Sequence, residues 1–195
     1  MSVQYTSGYL VANFTRKLIN SLVGSEDVVT IMNPTQDDRF DIRDILLGGE
    51  FMVDGEKINL QGYIFDHYFV PDTTVEGKVF ICVEANVDYI DKNIISEFPL
   101  DVYIFTYKTN VRLTDFTIPT KTEINEMGYL GNRISAITDA VDRVLRGMDN
   151  VGLGLVIPSP RGFMKPSAPD NNYYGKKLSY QVKGYTPKEV DVCGN

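Results

Sequence analysis

Residues 132–185 constrain the fold more than any other part of the chain. Asn132 precedes apolar residues at Ile134, Ile137, Ala140, Val141, Val144 and Leu145, spaced by threes and fours, and Gly147 closes the run. This predicts an amphipathic helix with Asn132 as N-cap, Arg143 and Arg146 in its last turns and a glycine stop. Such an apolar stripe has to be buried against a second layer. That layer follows at once: an apolar strand over 151–157, a proline-rich loop over 158–172, and a closing strand over 173–182. Nothing in the unit carries reactive groups in a catalytic pattern. It reads as a packing unit, which favours an assembling protein over an enzyme.

The upstream segments supply the rest of a sheet. Leu10, Val11, Phe14, Leu18 and Leu22 mark a first helix that starts at Thr6 or Ser7 and ends at Gly24. The β-branched run 28–32 reads as a short strand stopped by Pro34, and 37–47 as a second, weaker helix stopped by Gly48-Gly49. Asp54-Gly55 between two apolar runs is a hairpin signal, so residues 50–61 are expected to form a projecting β arm. Longer strands are expected over 63–70, 78–90 and 100–111. The last of these carries bulk on both faces, which suits a central position. The predicted class is α+β: a mostly antiparallel β-sheet with two amphipathic helices packed on one face, plus the hairpin. One domain spans 1–186, with an acidic tail at 187–195.

Composition narrows the partners. At 195 residues the chain suffices for one substantial core. A net charge of -7 argues against holding nucleic acid by neutralising phosphates. Cys82 and Cys193 form no disulfide framework, which points to a reducing compartment. No signal peptide or membrane-length apolar run is read from the sequence.

A search for chemistry returns little. His67 is the only histidine, and in a regular strand Asp66 would point to the other face. Cys82 in an apolar strand should be inert. Asp37, Asp41 and Asp44, with Asp38 beside them, could share one helix face, but Arg39 and Arg43 interleave and favour a solvated, salt-bridged surface over a metal site. Asp170-Asn171-Asn172 reads as a turn. Gly152-Leu153-Gly154 follows a helix instead of opening one, so it is no phosphate loop. Lys176 and Lys177 should face opposite sides of their strand, and Arg161 and Lys165 on the long loop suit a phosphate or an acidic partner, the latter preferred. The expectation is no catalytic centre, no cofactor and no metal.

Twelve Tyr and ten Phe support contact surface, since tyrosine buries apolar area while keeping a polar end satisfied. Phe65, Phe80 and Phe105 are assigned to the core. The expected interface residues are Phe51, Met52 and Val53 on the hairpin, Arg161, Phe163 and Lys165 on the loop, and Tyr173 and Tyr174.

Several stretches together resemble the neck and tail-terminator (head-tail joining) proteins of tailed bacteriophages. They are Val70-Pro71-Asp72-Thr73 with Gly77-Lys78-Val79-Phe80-Ile81, Leu100-Asp101-Val102-Tyr103-Ile104-Phe105-Thr106-Tyr107, Gly131-Asn132-Arg133, Val151-Gly152-Leu153-Gly154, and Tyr173-Tyr174-Gly175-Lys176-Lys177-Leu178-Ser179-Tyr180. The likeness spans residues 63–185 and lies in the order and spacing of loose patterns. It implies a homo-oligomeric ring, commonly a hexamer, in the virion neck and assembled in the host cytoplasm. Such a ring caps the tail tube, meets head-completion proteins and, in a contractile tail, the sheath. DNA passes through its lumen without specific binding. The hairpin 51–60 departs from the compact form of that family and suggests an arm reaching a neighbour. The alternatives are a head-completion or connector protein, or an interaction module unrelated to phages, with a hydrolase or nuclease last.

Overall fold

The structure is a computed structural model that describes residues 7–69, 78–85, 97–112, 131–148 and 154–183. The expected connector 114–128, the strand extension 86–90, the stretch 151–153, the tail 187–195 and Cys193 lie outside them. The described elements run α1 (Ser7–Val23), α2 (Glu26–Met32), α3 (Ile42–Leu47), β1 (Gly49–Val53), β2 (Glu56–Leu60), β3 (Ile64–Phe65), β4 (Val79–Ala85), β5 (Glu97–Tyr107), α4 (Arg133–Arg146), β6 (Leu155–Pro158), β7 (Met164–Pro166) and β8 (Tyr173–Lys183). The class is α+β, with one main sheet ordered β3-β4-β5-β8-β6, β7 also pairing β8, and a separate two-stranded hairpin β1-β2.

β5 is central, paired antiparallel with β4 on one side and along its full length with β8 on the other. Val79, Ile81, Val83, Leu100, Val102 and Ile104 send one apolar row from these strands toward the helices. Phe14, Leu18 and Leu22 of α1 and Ile134, Ile137, Val141 and Leu145 of α4 meet that row, all fully buried. The two expected amphipathic helices are joined on this face by α2, which packs against α4. Asn132 caps α4 as expected, its side chain accepting from the Ser135 N–H at 3.1 Å. Arg133, buried in the first turn, donates to the carbonyls of Ile31 (2.9 Å) and Asn110 (3.2 Å). Its cation therefore sits at the negative end of α2, although burial lowers its pKa.

Four expectations are corrected. Residues 28–32 are helix, not strand: Ser25 caps α2, Glu26 and Asp27 occupy its first turn, and Asn33 in the left-handed region ends it. The second helix starts at Ile42, not 37, because Asp41 leaves the helix to accept from the Asp44 N–H at 2.8 Å. The strand expected over 63–70 shrinks to Ile64–Phe65, and it runs parallel to β4. Its continuation turns its amide donors onto side chains, Tyr68 N–H to the Glu84 carboxylate and Phe69 N–H to the Cys82 thiol, so no ladder forms. The loop expected over 158–172 contains β7, which pairs Met164 with Leu178 and Pro166 with Lys176.

Among the described residues no helix is long and apolar enough to cross a membrane.

Candidate interaction surfaces

The hairpin stands on the β3 side of the sheet. Asp54 and Gly55 both take positive φ (52° and 84°), the two-residue turn that matches the twist of its strands. Phe51 pairs with Ile58, and Met52 with Lys57. No residue of either strand is buried. Its base is held where Gly62 passes Leu47: a Cβ on Gly62 would lie 2.5 Å from the Leu47 carbonyl oxygen. Phe51 leans on Phe40, ring centroids 5.2 Å apart, so that face is anchored. The other face presents Met52, 70% exposed, beside the Glu50–Lys57 ion pair at 2.8 Å. Asp54 and Glu56 are exposed at the tip. Near the base, Lys78 borders a cleft of about 290 Å³. Its ammonium donates to the Gln61 carbonyl at 2.8 Å and lies over the Tyr63 ring, and burial lowers its pKa.

The opposite edge is built from β6 and β7, which run in the same direction along the outer side of β8 with a turn between them. The turn is clamped from inside. Phe163 packs on Tyr180 at 5.2 Å between centroids, and the Arg146 guanidinium lies over Phe163. The Tyr180 hydroxyl, almost fully buried, donates to Asp142 at 2.9 Å; burial and that carboxylate push its pKa well up. Arg161, Met164, Lys165 and Pro166 are left exposed along the rim, and Leu155 further along it.

The expected interface residues therefore separate. Met52, Arg161, Lys165 and Tyr174 are exposed, and Phe51, Val53 and Phe163 are partly covered by their own chain. Tyr173 is corrected: it is 4% exposed and packs edge-on against Phe105 and Tyr107. It belongs to a second apolar cluster with Phe80, Cys82 and Phe105 on the sheet face away from the helices, and Phe65 packs against that cluster. Tyr68 and Tyr103, 4.8 Å apart between centroids, border it. Leu155, Met164, Asp54 and Glu56 were not among the expected interface residues. The three-residue β7 carries no alternating pattern, and Pro160, Gly162 and Pro166 read locally as loop.

Asp66 and His67 do come together, Oδ1 to Nδ1 at 2.8 Å, because the chain bends there; both are exposed. The Cys82 thiol is buried, which pushes its pKa up to about 11. Asp37 grips Arg39 through two contacts, which hold its carboxyl below the ordinary range, while Arg43 bonds Asn20. Asp37, Asp41 and Asp44 share no helix face, since Asp37 precedes the helix and Asp41 caps it. Among the described residues no group of three His, Cys, Asp or Glu is placed to hold a metal. Lys177 pairs with Asp101 at 2.7 Å and Lys176 donates to Ser135, on opposite faces of β8. Asp170 closes a turn by accepting from the Asn172 N–H.

A family model described as YomW matches residues 25–182, from the N-cap of α2 to the penultimate residue of β8. No curated protein and no solved structure matches the chain.

Proposed function

The chain belongs to the YomW family, whose name is of phage origin, and from that premise we propose that it is a structural virion protein of the head-tail junction. In this reading, copies form a ring that terminates the tail tube and connects it to the neck. The observation that carries the proposal is the pair of exposed elements at opposite edges of one sheet: the hairpin beside β3, which carries exposed Met52, and the β6–β7 rim beyond β8, which carries exposed Leu155 and Met164. A surface that differs at its two ends repeats head to tail, and such contacts close into a ring when the rotation allows. Each interface would need on the order of 1,000 Å² to be stable.

The charge balance suits the place. A net charge of -7 gives a lumen past which DNA can move without being held by phosphate contacts. The proposed partners are further copies of the chain, the tail tube, head-completion proteins and, where the tail contracts, the sheath. The proposed location is the virion neck, reached by assembly in the host cytoplasm.

Immunogold labelling of particles from a phage that encodes this chain tests the reading. Label at the head-tail junction is expected, and so are unjoined heads and tails when the gene is deleted. Joined, unlabelled particles would overturn it.

A further inference from the structure

Lys78 is a cation without a counter-charge. It stands just ahead of β4, half-buried, with its ammonium on the Gln61 carbonyl at 2.8 Å and 4.4 Å from the centre of the Tyr63 ring. Both partners are neutral, and among the described residues no carboxylate pairs with it. An ammonium has three donors, so a carbonyl and a ring face leave an N–H to spend. Burial lowers its pKa, the mark of a charge that its surroundings do not balance. The acid that shares the cleft lining with it, Asp37, is committed elsewhere. Arg39 holds both of that carboxylate's oxygens, Nε to Oδ1 at 3.0 Å and Nη2 to Oδ2 at 2.8 Å. Those two charges cancel, and the Lys78 charge is left over.

The cleft that Lys78 borders, about 290 Å³ at the base of the hairpin, is ready for a small ligand. Sites for small molecules start at roughly 300 Å³. Ile45, Leu60 and the Tyr63 ring give it apolar surface, and Thr35, Asn59 and Gln61 add neutral polar groups. Its walls are fixed in advance. The Tyr63 N–H donates to the Leu46 carbonyl at 2.7 Å, and the Tyr63 carbonyl accepts from the Ile81 N–H at 2.8 Å. The Tyr63 hydroxyl accepts from the Thr35 N–H at 3.0 Å. Gly62 passes Leu47 too closely for any side chain, which holds the hairpin base against α3. A site braced in this way loses little freedom when a ligand enters.

We propose that this cleft binds a monocarboxylate with a short apolar tail, its carboxylate on the Lys78 ammonium and its tail along Ile45, Leu60 and Tyr63. The carboxylate supplies the missing counter-charge, and the tail covers apolar surface that is otherwise wet. A single uncommitted ammonium, a point charge without a bidentate fork, suits one negative charge better than a phosphate dianion. A lysine stem that merely packs over a tyrosine ring accounts for the ring contact, but not for a preformed cleft beside it. A peptide C-terminus presents the same chemistry; the volume favours a free small acid. The site is independent of the ring reading.

Saturation-transfer NMR on the full chain tests it, with hexanoate as the probe. Saturable binding is expected, at least about tenfold tighter than that of hexan-1-ol and not displaced by equimolar inorganic phosphate. Lys78→Met keeps the stem and removes the charge, and should weaken hexanoate about tenfold or more. A diazirine-bearing six-carbon acid, irradiated with the natural protein, should label residues within 35–45 or 59–63. That readout stands even where the variant fails to fold. Acetyl-Ala-Leu, compared with its amide, decides the source: tighter binding than hexanoate supports a carboxylate site that takes a peptide terminus, and weaker binding supports one that takes the free acid. Equal binding of hexanoate and hexan-1-ol, displacement by phosphate, or labelling elsewhere overturns the site.

Discussion

Gly175 sits near the start of β8, where β5 on one side and the end of β7 with Ser167 on the other close in. A Cβ there would lie 2.5 Å from the carbonyl oxygens of Ile104 and Ser167 and 2.6 Å from the Phe105 Cβ. Since two of these three atoms are backbone, relief requires moving a strand. Gly175→Ala should cost about 1–3 kcal/mol by urea denaturation, and an unchanged midpoint would show that the three strands are less tightly apposed. Cys82 gives a second prediction. The folded chain keeps its thiol protonated to about pH 11, against an ordinary value near 9. Its contribution is full below the unfolded value and is lost as pH rises from about 9 to about 11. The loss amounts to at most about 3 kcal/mol. Urea midpoints at pH 8 and pH 10.5 should diverge more for the natural protein than for Cys82→Ala. Equal divergence would mean that the thiol titrates freely.

At the scale of elements, the hairpin is the part whose removal separates folding from assembly. Glu50 and Asn59 are paired, so replacing 51–58 with Asn-Gly leaves a short hairpin on its native base. No hairpin residue is buried, and the main packing lost is the Phe51–Phe40 contact. The variant should melt only about 2–4 °C lower while losing self-association. Association at the natural level would show that the arm is idle, and collapse of the fold would show that it is no arm. This hairpin was legible in advance because Asp54-Gly55 can form few other turns, and α4 because cap, period and stop agree. The central place of β5 was legible from bulk on both of its faces. α2 was not, because Val28, Val29, Thr30 and Ile31 speak for a strand, while the decisive signals, Ser25 and Asn33, flank the run. The segment after Phe65 failed for a different reason: its amides are satisfied by Glu84 and Cys82, distant residues whose approach only the tertiary fold decides. β7 was hidden by Pro160, Gly162 and Pro166, which read locally as loop. Of the expected interface residues, Tyr173 was misplaced since a strand residue beside a turn can face either way, and neighbouring Phe105 takes it inward.

For the whole molecule, the arrangement is a sheet backed by helices on one face, lined with a smaller aromatic cluster on the other, and given unlike edges. The helix-side core and the ties between its layers, such as the Tyr180 hydroxyl of β8 to Asp142 of α4 at 2.9 Å, make a firm body. Assembly then asks little rearrangement of that body, and the geometry between copies is set by where its two edges lie. Membership of the YomW family brings in phages, while the ring and its place at the neck are our proposal. Native mass spectrometry of the full chain across a concentration series tests the central claim most directly. A single closed multimer, six copies in the expected case, should dominate with few open intermediates. Monomer alone at high micromolar concentration, or an unbounded ladder of sizes, would contradict it.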